Sequence, residues 1–119
     1  MFEKNWEKRW EKYGKERKGV KICYSGDTRL CEEMILFAKE SDILIHESTY
    51  LIQDYDKAQQ NAHSTTQDAA VVARDSNSKQ LVLTHISTRY DEEFPIVEEA
   101  KEIFENTILA EDLMRIEIK

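Results

Sequence analysis

The stretch Ile43-Leu44-Ile45-His46-Glu47-Ser48-Thr49 passes from an apolar triplet directly into four side chains capable of chemistry. Apolar residues without polar alternation suit a strand buried on both faces, as in a parallel sheet covered by helices. Two other segments repeat the pattern. Val20 to Tyr24 is a strand candidate that leads into Ser25-Gly26-Asp27-Thr28, and Leu81-Val82-Leu83 leads into Thr84-His85-Ile86-Ser87. Between the strands lie amphipathic stretches. Leu30 to Lys39 carries Leu30, Met34, Phe37 and Ala38 at helical spacing. Ser64 to Arg74 opens with a Ser64/Gln67 capping box and presents Ala69, Val72 and Ala73 on one face. Asp91 to Phe104 directs Phe94, Val97, Ala100, Ile103 and Phe104 inward, with Pro95 tolerable in its first turn. Strand and helix thus alternate three times, which predicts an α/β fold with a mostly parallel sheet and covering helices. The tail, Thr107 to Ala110 and then Met114 to Ile118, suggests two short strands around a turn at Glu111-Asp112.

In such a sheet the residues that follow each strand share one edge, the carboxyl ends, where ligand sites gather. His46, Glu47, His85 and Asp27 fall there, and His63 immediately precedes a capped helix. Taken singly, each has a bland explanation: a tight turn at Gly26-Asp27, a satisfied strand end at His46-Glu47, a solvated His63, a buried His85. Their coincidence on one rim makes Asp27, His46, Glu47, His63 and His85 a candidate cluster.

The chain has 119 residues, enough for one modest core, with 40% hydrophobic and 34% charged residues. That balance suits an ordered domain rather than a disordered tail. No apolar run approaches the roughly 20 residues that span a bilayer, and the charged start Met1-Phe2-Glu3-Lys4 is unlike a signal peptide, so no membrane association and a cytoplasmic location are expected. Cys23 and Cys31, eight apart, read as reduced thiols. Residues 1–21 hold eight Lys/Arg against four Glu, whereas residues 22–119 hold nine against twenty Asp/Glu. An acidic body repels a phosphate backbone, which argues against nucleic-acid binding by this chain as a monomer. Phe2, Trp6, Trp10 and Tyr13 line one face of an N-terminal helix ended by Gly14 and Gly19. Residues 1–17 therefore read as an arm that packs on the body or a partner, or offers a stacking surface to RNA, and residues 18–119 as the domain.

Several blocks resemble ribonuclease Z, the tRNA 3′-end endonucleases of the metallo-β-lactamase fold. Tyr24-Ser25-Gly26-Asp27-Thr28-Arg29 is similar to that family's Ser-Gly-Asp-Thr motif, and His46-Glu47-Ser48-Thr49 to its His-Glu-Ala-Thr motif, with Ser48 for alanine. Ala62-His63-Ser64-Thr65 resembles the partner His-Ser-Thr motif, Leu83 to Tyr90 the Leu-Thr-His-Phe-Ser-x-Arg-Tyr block, and Ala110-Glu111-Asp112 the Ala-Glu-Asp near the C-terminus. The resemblance covers about Lys18 to Lys119 and implies the C-terminal half of an αββα sandwich. It also implies roles: Asp27 bridging two zinc ions, His85 ligating one, Glu47 and His63 as the couple that protonates the leaving 3′ oxygen, and Arg89 beside the scissile phosphate. His46 fits a residue that orients a neighbour rather than a ligand. The substrate so implied is precursor tRNA.

The family's His-x-His-x-Asp-His motif has no counterpart here, since no two histidines lie within four residues of each other. A catalytic zinc takes about three protein ligands plus water, so Asp27 and His85 alone imply weak or absent zinc in this chain. A half-sandwich also leaves an apolar sheet face uncovered. The expectation is a homo-oligomer or pairing with a complementing N-terminal half. The enzyme reading is the C-terminal portion of a zinc-dependent endoribonuclease, inactive alone. The alternative is a truncated, non-catalytic relative acting as a dimerising or interaction module. A different metallo-β-lactamase hydrolase fits less well, because the paired Glu47 and His63 motifs point to ribonuclease Z.

Overall fold

Four short strands form one parallel sheet: β1 (Ile22–Tyr24), β2 (Ile43–Glu47), β3 (Gln80–Thr84) and β4 (Thr107–Leu109), lying side by side in chain order. The computed structural model describes residues 19–92 and 94–118, so the aromatic helix and arm expected within residues 1–17 lie outside the described residues. Between the strands stand α1 (Glu32–Phe37), a 3-10 turn (Ile52–Asp54), α2 (Tyr55–Gln60), α3 (Thr66–Asp75) and α4 (Phe94–Lys101). Helix α3 packs on β2 and β3, with α1 and α4 against it, so these three helices share one face of the sheet. The core between them is Cys23, Leu44, Leu81 and Leu83 from the strands, with Met34, Ala38, Ala69, Ala70, Val72, Ala73, Ile96 and Ala100 from the helical side. The small alanine face of α3 lets the helix approach the sheet closely.

Strand alternation sends the neighbouring residues to the other face. There Tyr24, Ile45, Val82 and Ile108 stand in one cross-strand row. Ile43 and Val82 are buried, whereas Ile22 and Tyr24 on β1 remain 57% and 61% exposed. The expected uncovered apolar surface is therefore concentrated at the β1 edge.

Several local expectations are corrected. The capping box of α3 is not Ser64/Gln67 but Thr65/Asp68: Asp68 N–H donates to Thr65 Oγ1 at 3.0 Å and Thr65 N–H donates to Asp68 Oδ2 at 2.9 Å. Ser64 is unavailable as a cap, because its N–H donates to Glu47 Oε1 and its hydroxyl to the Thr28 carbonyl. Phe37 and Leu30 do not face the core; both are exposed, and α1 buries only Met34 among its residues. The helix expected over Asp91–Phe104 is shorter, and Ile103 and Phe104 pack on the core from beyond its end. No strand forms over Met114–Ile118, where the chain turns at Leu113 (φ +63°) and stays largely exposed. The turn and helix over residues 52–60 carry no apolar periodicity, since α2 buries Ala58 alone.

Candidate active site

The turn after β1 brings Asp27 forward. Gly26 adopts φ +61°, a left-handed conformation that glycine accepts without steric cost. The turn is fastened to β2 by Ser25 N–H to the Ile45 carbonyl (2.9 Å) and Glu47 N–H to Ser25 Oγ (3.0 Å). At the end of β3, His85 also sits in the left-handed region, at φ +58°. A residue other than glycine held there costs on the order of 1–3 kcal/mol and is typical of functional positions. This backbone turn sets His85 Nδ1 2.9 Å from Asp27 Oδ1, with both side chains about half exposed. Ala62, at φ +58°, makes a similar turn directly before His63.

Glu47 is the fixed point of the site. Its side chain is 1% exposed, and a buried carboxylate must find compensating donors. Oε1 accepts from the N–H groups of Ser64 and Thr28, the latter at 3.5 Å. Oε2 accepts from the N–H of Thr49 at 3.3 Å and from the Thr49 hydroxyl, and lies 3.3 Å from His63 Nδ1. The His63 and His85 rings meet edge to face with centroids 5.4 Å apart. As a result Asp27, Glu47, His63 and His85 each offer one nitrogen or oxygen atom, all within 4.8 Å of one another.

His46, placed beside these residues by sequence, does not join them. It projects to the opposite face and is fully buried, with Nδ1 2.7 Å from the Glu47 carbonyl and Nε2 without a hydrogen-bond partner among the described residues. Desolvation lowers its pKa from the usual imidazole range, so the ring is neutral and Nδ1–H donates. Arg89 stands one ring away from the cluster. Its guanidinium lies 5.4 Å from the centroid of Tyr50, whose ring in turn packs on His63 with centroids 6.3 Å apart. Thr49, Tyr50, Asp54 and Tyr90, to which the sequence assigns no role, complete the surroundings. Thr49 and Tyr50 follow Glu47 directly, and that adjacency was the signal available. Beside His85 opens a cavity of about 490 Å³, lined among others by Thr84, Ser87, Tyr90, Glu111 and Asp112.

Imidazole nitrogen and carboxylate oxygen are donors that zinc accepts. Asp27 and His85, at the open mouth, fit such an ion. Glu47 is already surrounded by backbone and hydroxyl donors, which suits a hydrogen-bond acceptor better than a ligand. His63, in the same group of atoms within 4.8 Å, offers a further imidazole donor beside Asp27 and His85.

Curated relatives extend this picture. The chain is 50% identical over 109 residues to ribonuclease Z of Methanothermobacter thermautotrophicus, covering 92% of this chain and 36% of that protein. It is 47% identical over 106 residues to ribonuclease Z of Archaeoglobus fulgidus, covering 88% and 35%. The chain thus spans about a third of the length of the curated relatives it matches. The crystal structure of the short form of human tRNase Z superposes with a TM-score of 0.67 at 38% identity, over 85% of this chain and 34% of that one. The metallo-β-lactamase fold protein YhfI from Bacillus subtilis superposes with a TM-score of 0.68 at 22% identity, over 74% and 35%, a likeness of fold alone. The resemblance to ribonuclease Z is therefore shown over most of the sequence. The family described as a beta-lactamase superfamily domain matches residues 7–86, and on that match the chain belongs to the β-lactamase superfamily.

Proposed function

We propose that this chain is the C-terminal portion of a zinc-dependent endoribonuclease that removes 3′ trailers from precursor tRNA in the cytoplasm, completed by an N-terminal half. The observation that carries the reading is the convergence of Asp27, Glu47, His63 and His85 within 4.8 Å at the strand ends, in a chain whose relatives are ribonucleases Z. Asp27 and His85 would hold zinc, which when bound supplies a hydroxide nucleophile at neutral pH.

The remaining residues have separate tasks. His63 donates Nδ1–H toward Glu47, which leaves Nε2 to carry a proton to the departing 3′ oxygen. Glu47, pinned by its donors, holds that imidazole in place and fixes its tautomer. Arg89 presents planar N–H donors suited to phosphate oxygens. The exposed Ile22 and Tyr24 support a partner over the β1 edge, and that partner would bring the His-x-His-x-Asp-His ligands this chain lacks. The same exposed edge also suits the second reading, a non-catalytic module that pairs with its own copy.

The test is cleavage of a 3′-extended precursor tRNA, with zinc per chain measured in parallel, with and without a polypeptide carrying the missing motif. We expect cleavage and stoichiometric zinc only in the complemented protein. Cleavage by this chain alone would refute its incompleteness. A stable complemented complex without cleavage would favour the non-catalytic module.

A further inference from the structure

Arg89 and Tyr90 follow each other in the chain, and both reach the same carboxylate. Asp54, in the 3-10 turn, uses its two oxygens separately: Oδ1 lies 3.3 Å from Arg89 Nη1, and Oδ2 accepts the Tyr90 hydroxyl at 2.5 Å. The Tyr90 oxygen also accepts the Leu51 N–H at 2.9 Å. One acid and one phenol thereby lock the segment after β3 onto the segment after β2. The guanidinium is held on its other side by the Tyr50 ring, itself buried and fixed through Asn61 Nδ2, which donates to its hydroxyl at 3.0 Å.

A partly exposed ion pair of this kind contributes little to stability. Its geometric effect is larger. A free arginine side chain has many rotamers to lose, and a pre-set guanidinium does not lose them again on binding an anion. Hydrogen bonding from Tyr90 stabilises the Asp54 carboxylate and lowers its pKa, with the nearby Arg89 and Lys57 charges acting in the same direction. Asp54 is thus ionised and competent to hold Arg89 at neutral pH.

We propose that Asp54 and Tyr90 are positioning residues for Arg89, fixing its guanidinium against Tyr50 so that a phosphate at the strand ends meets a preorganised donor fork. The inference rests on the reading of Arg89 as a phosphate-binding group, and it makes an unusual demand. On charge alone, Asp54→Asn should strengthen anion binding, because it removes a negative charge beside Arg89. If Asp54 positions Arg89, the same change must weaken binding.

The experiment uses the full chain and inorganic phosphate at fixed ionic strength. The Arg89 guanidinium is followed by side-chain nitrogen NMR in the wild type, Asp54→Asn, Tyr90→Phe and Arg89→Lys, with phosphate affinity taken in each case from the shift of neighbouring resonances. We expect slow guanidinium rotation in the wild type and faster rotation in Asp54→Asn and Tyr90→Phe. Both variants should also bind phosphate about 3- to 10-fold more weakly, on the order of 1 kcal/mol, as should Arg89→Lys. Weakening by Arg89→Lys alone, with Asp54→Asn neutral or tighter, overturns the positioning role and leaves the phosphate reading standing. Rotation that is equally fast in all chains overturns the positioning role directly. A wild-type chain that ignores phosphate, or an Arg89→Lys chain that binds it equally well, overturns the reading beneath it.

Discussion

The Glu47 carboxylate, buried at the end of β2, lies 3.3 Å from His63 Nδ1, and the same carboxylate receives the N–H of the next residue, Ser64. One acid therefore fixes both the imidazole and the entry to α3. Site geometry and fold stability meet in a single side chain.

That sharing predicts the cost of removing it. Glu47→Ala leaves the Thr28, Thr49 and Ser64 N–H groups without their acceptor and should destabilise the chain by about 3 kcal/mol. Denaturant unfolding measures this. A loss under about 0.5 kcal/mol would show that water replaces the carboxylate and that it does not organise the site.

Asp27 and His85 stand at the opposite extreme, exposed and outside the core. Asp27→Ala should change unfolding free energy by less than about 1 kcal/mol, yet abolish cleavage in a complemented enzyme. His85 adds a backbone test: because φ is +58°, His85→Gly should be more stable than His85→Ala by about 1 kcal/mol. Equal stability of the two variants would mean that this turn relaxes in solution.

Tyr90 supplies a pH dependence. Burial, together with its hydrogen bond to Asp54, pushes the phenol up to about 12 from the ordinary value near 10. A raised acid pKa means that the folded chain favours the protonated phenol. The associated stability is fully present below pH 10 and is lost as pH rises through 12. Unfolding free energy should fall across that window in the wild type and fall less in Tyr90→Phe; identical slopes would contradict the assignment.

His46 acts at the other end of the scale. Its folded pKa is lowered by burial, so the unfolded chain takes up a proton first as pH drops below about 6.5. The stability of the neutral buried ring is present above that pH and declines below it. Comparing unfolding at pH 7.5 and 5.5 should show a smaller loss in His46→Gln than in the wild type.

The corrected helix start gives a local test. Thr65→Ala should cost about 1 kcal/mol through loss of the cap on α3, whereas Gln67→Ala should be close to neutral. The reverse ranking, read by thermal unfolding, would restore the Ser64/Gln67 box.

The α/β alternation, the parallel sheet and the rim on which Asp27, Glu47, His63 and His85 lie were readable in the sequence, because apolar runs mark buried strands and the carboxyl ends of parallel strands share one edge. The choice between neighbours was not. His46 and Glu47 are adjacent in the chain, and alternation guarantees that they face opposite sides. Which side the helices cover depends on how α1, α3 and α4 pack, and that packing buried His46 and directed Glu47 to the rim. Ser64 has the residue type of a cap, but Glu47 and Thr28 take its polar groups in the fold. The Asp54 anchor on Arg89 joins residues far apart in sequence, and no local pattern encodes such a pairing. Periodicity records which face of an element is apolar, a property of each segment alone. The partners of a polar side chain depend on distances that exist only once the segments have packed.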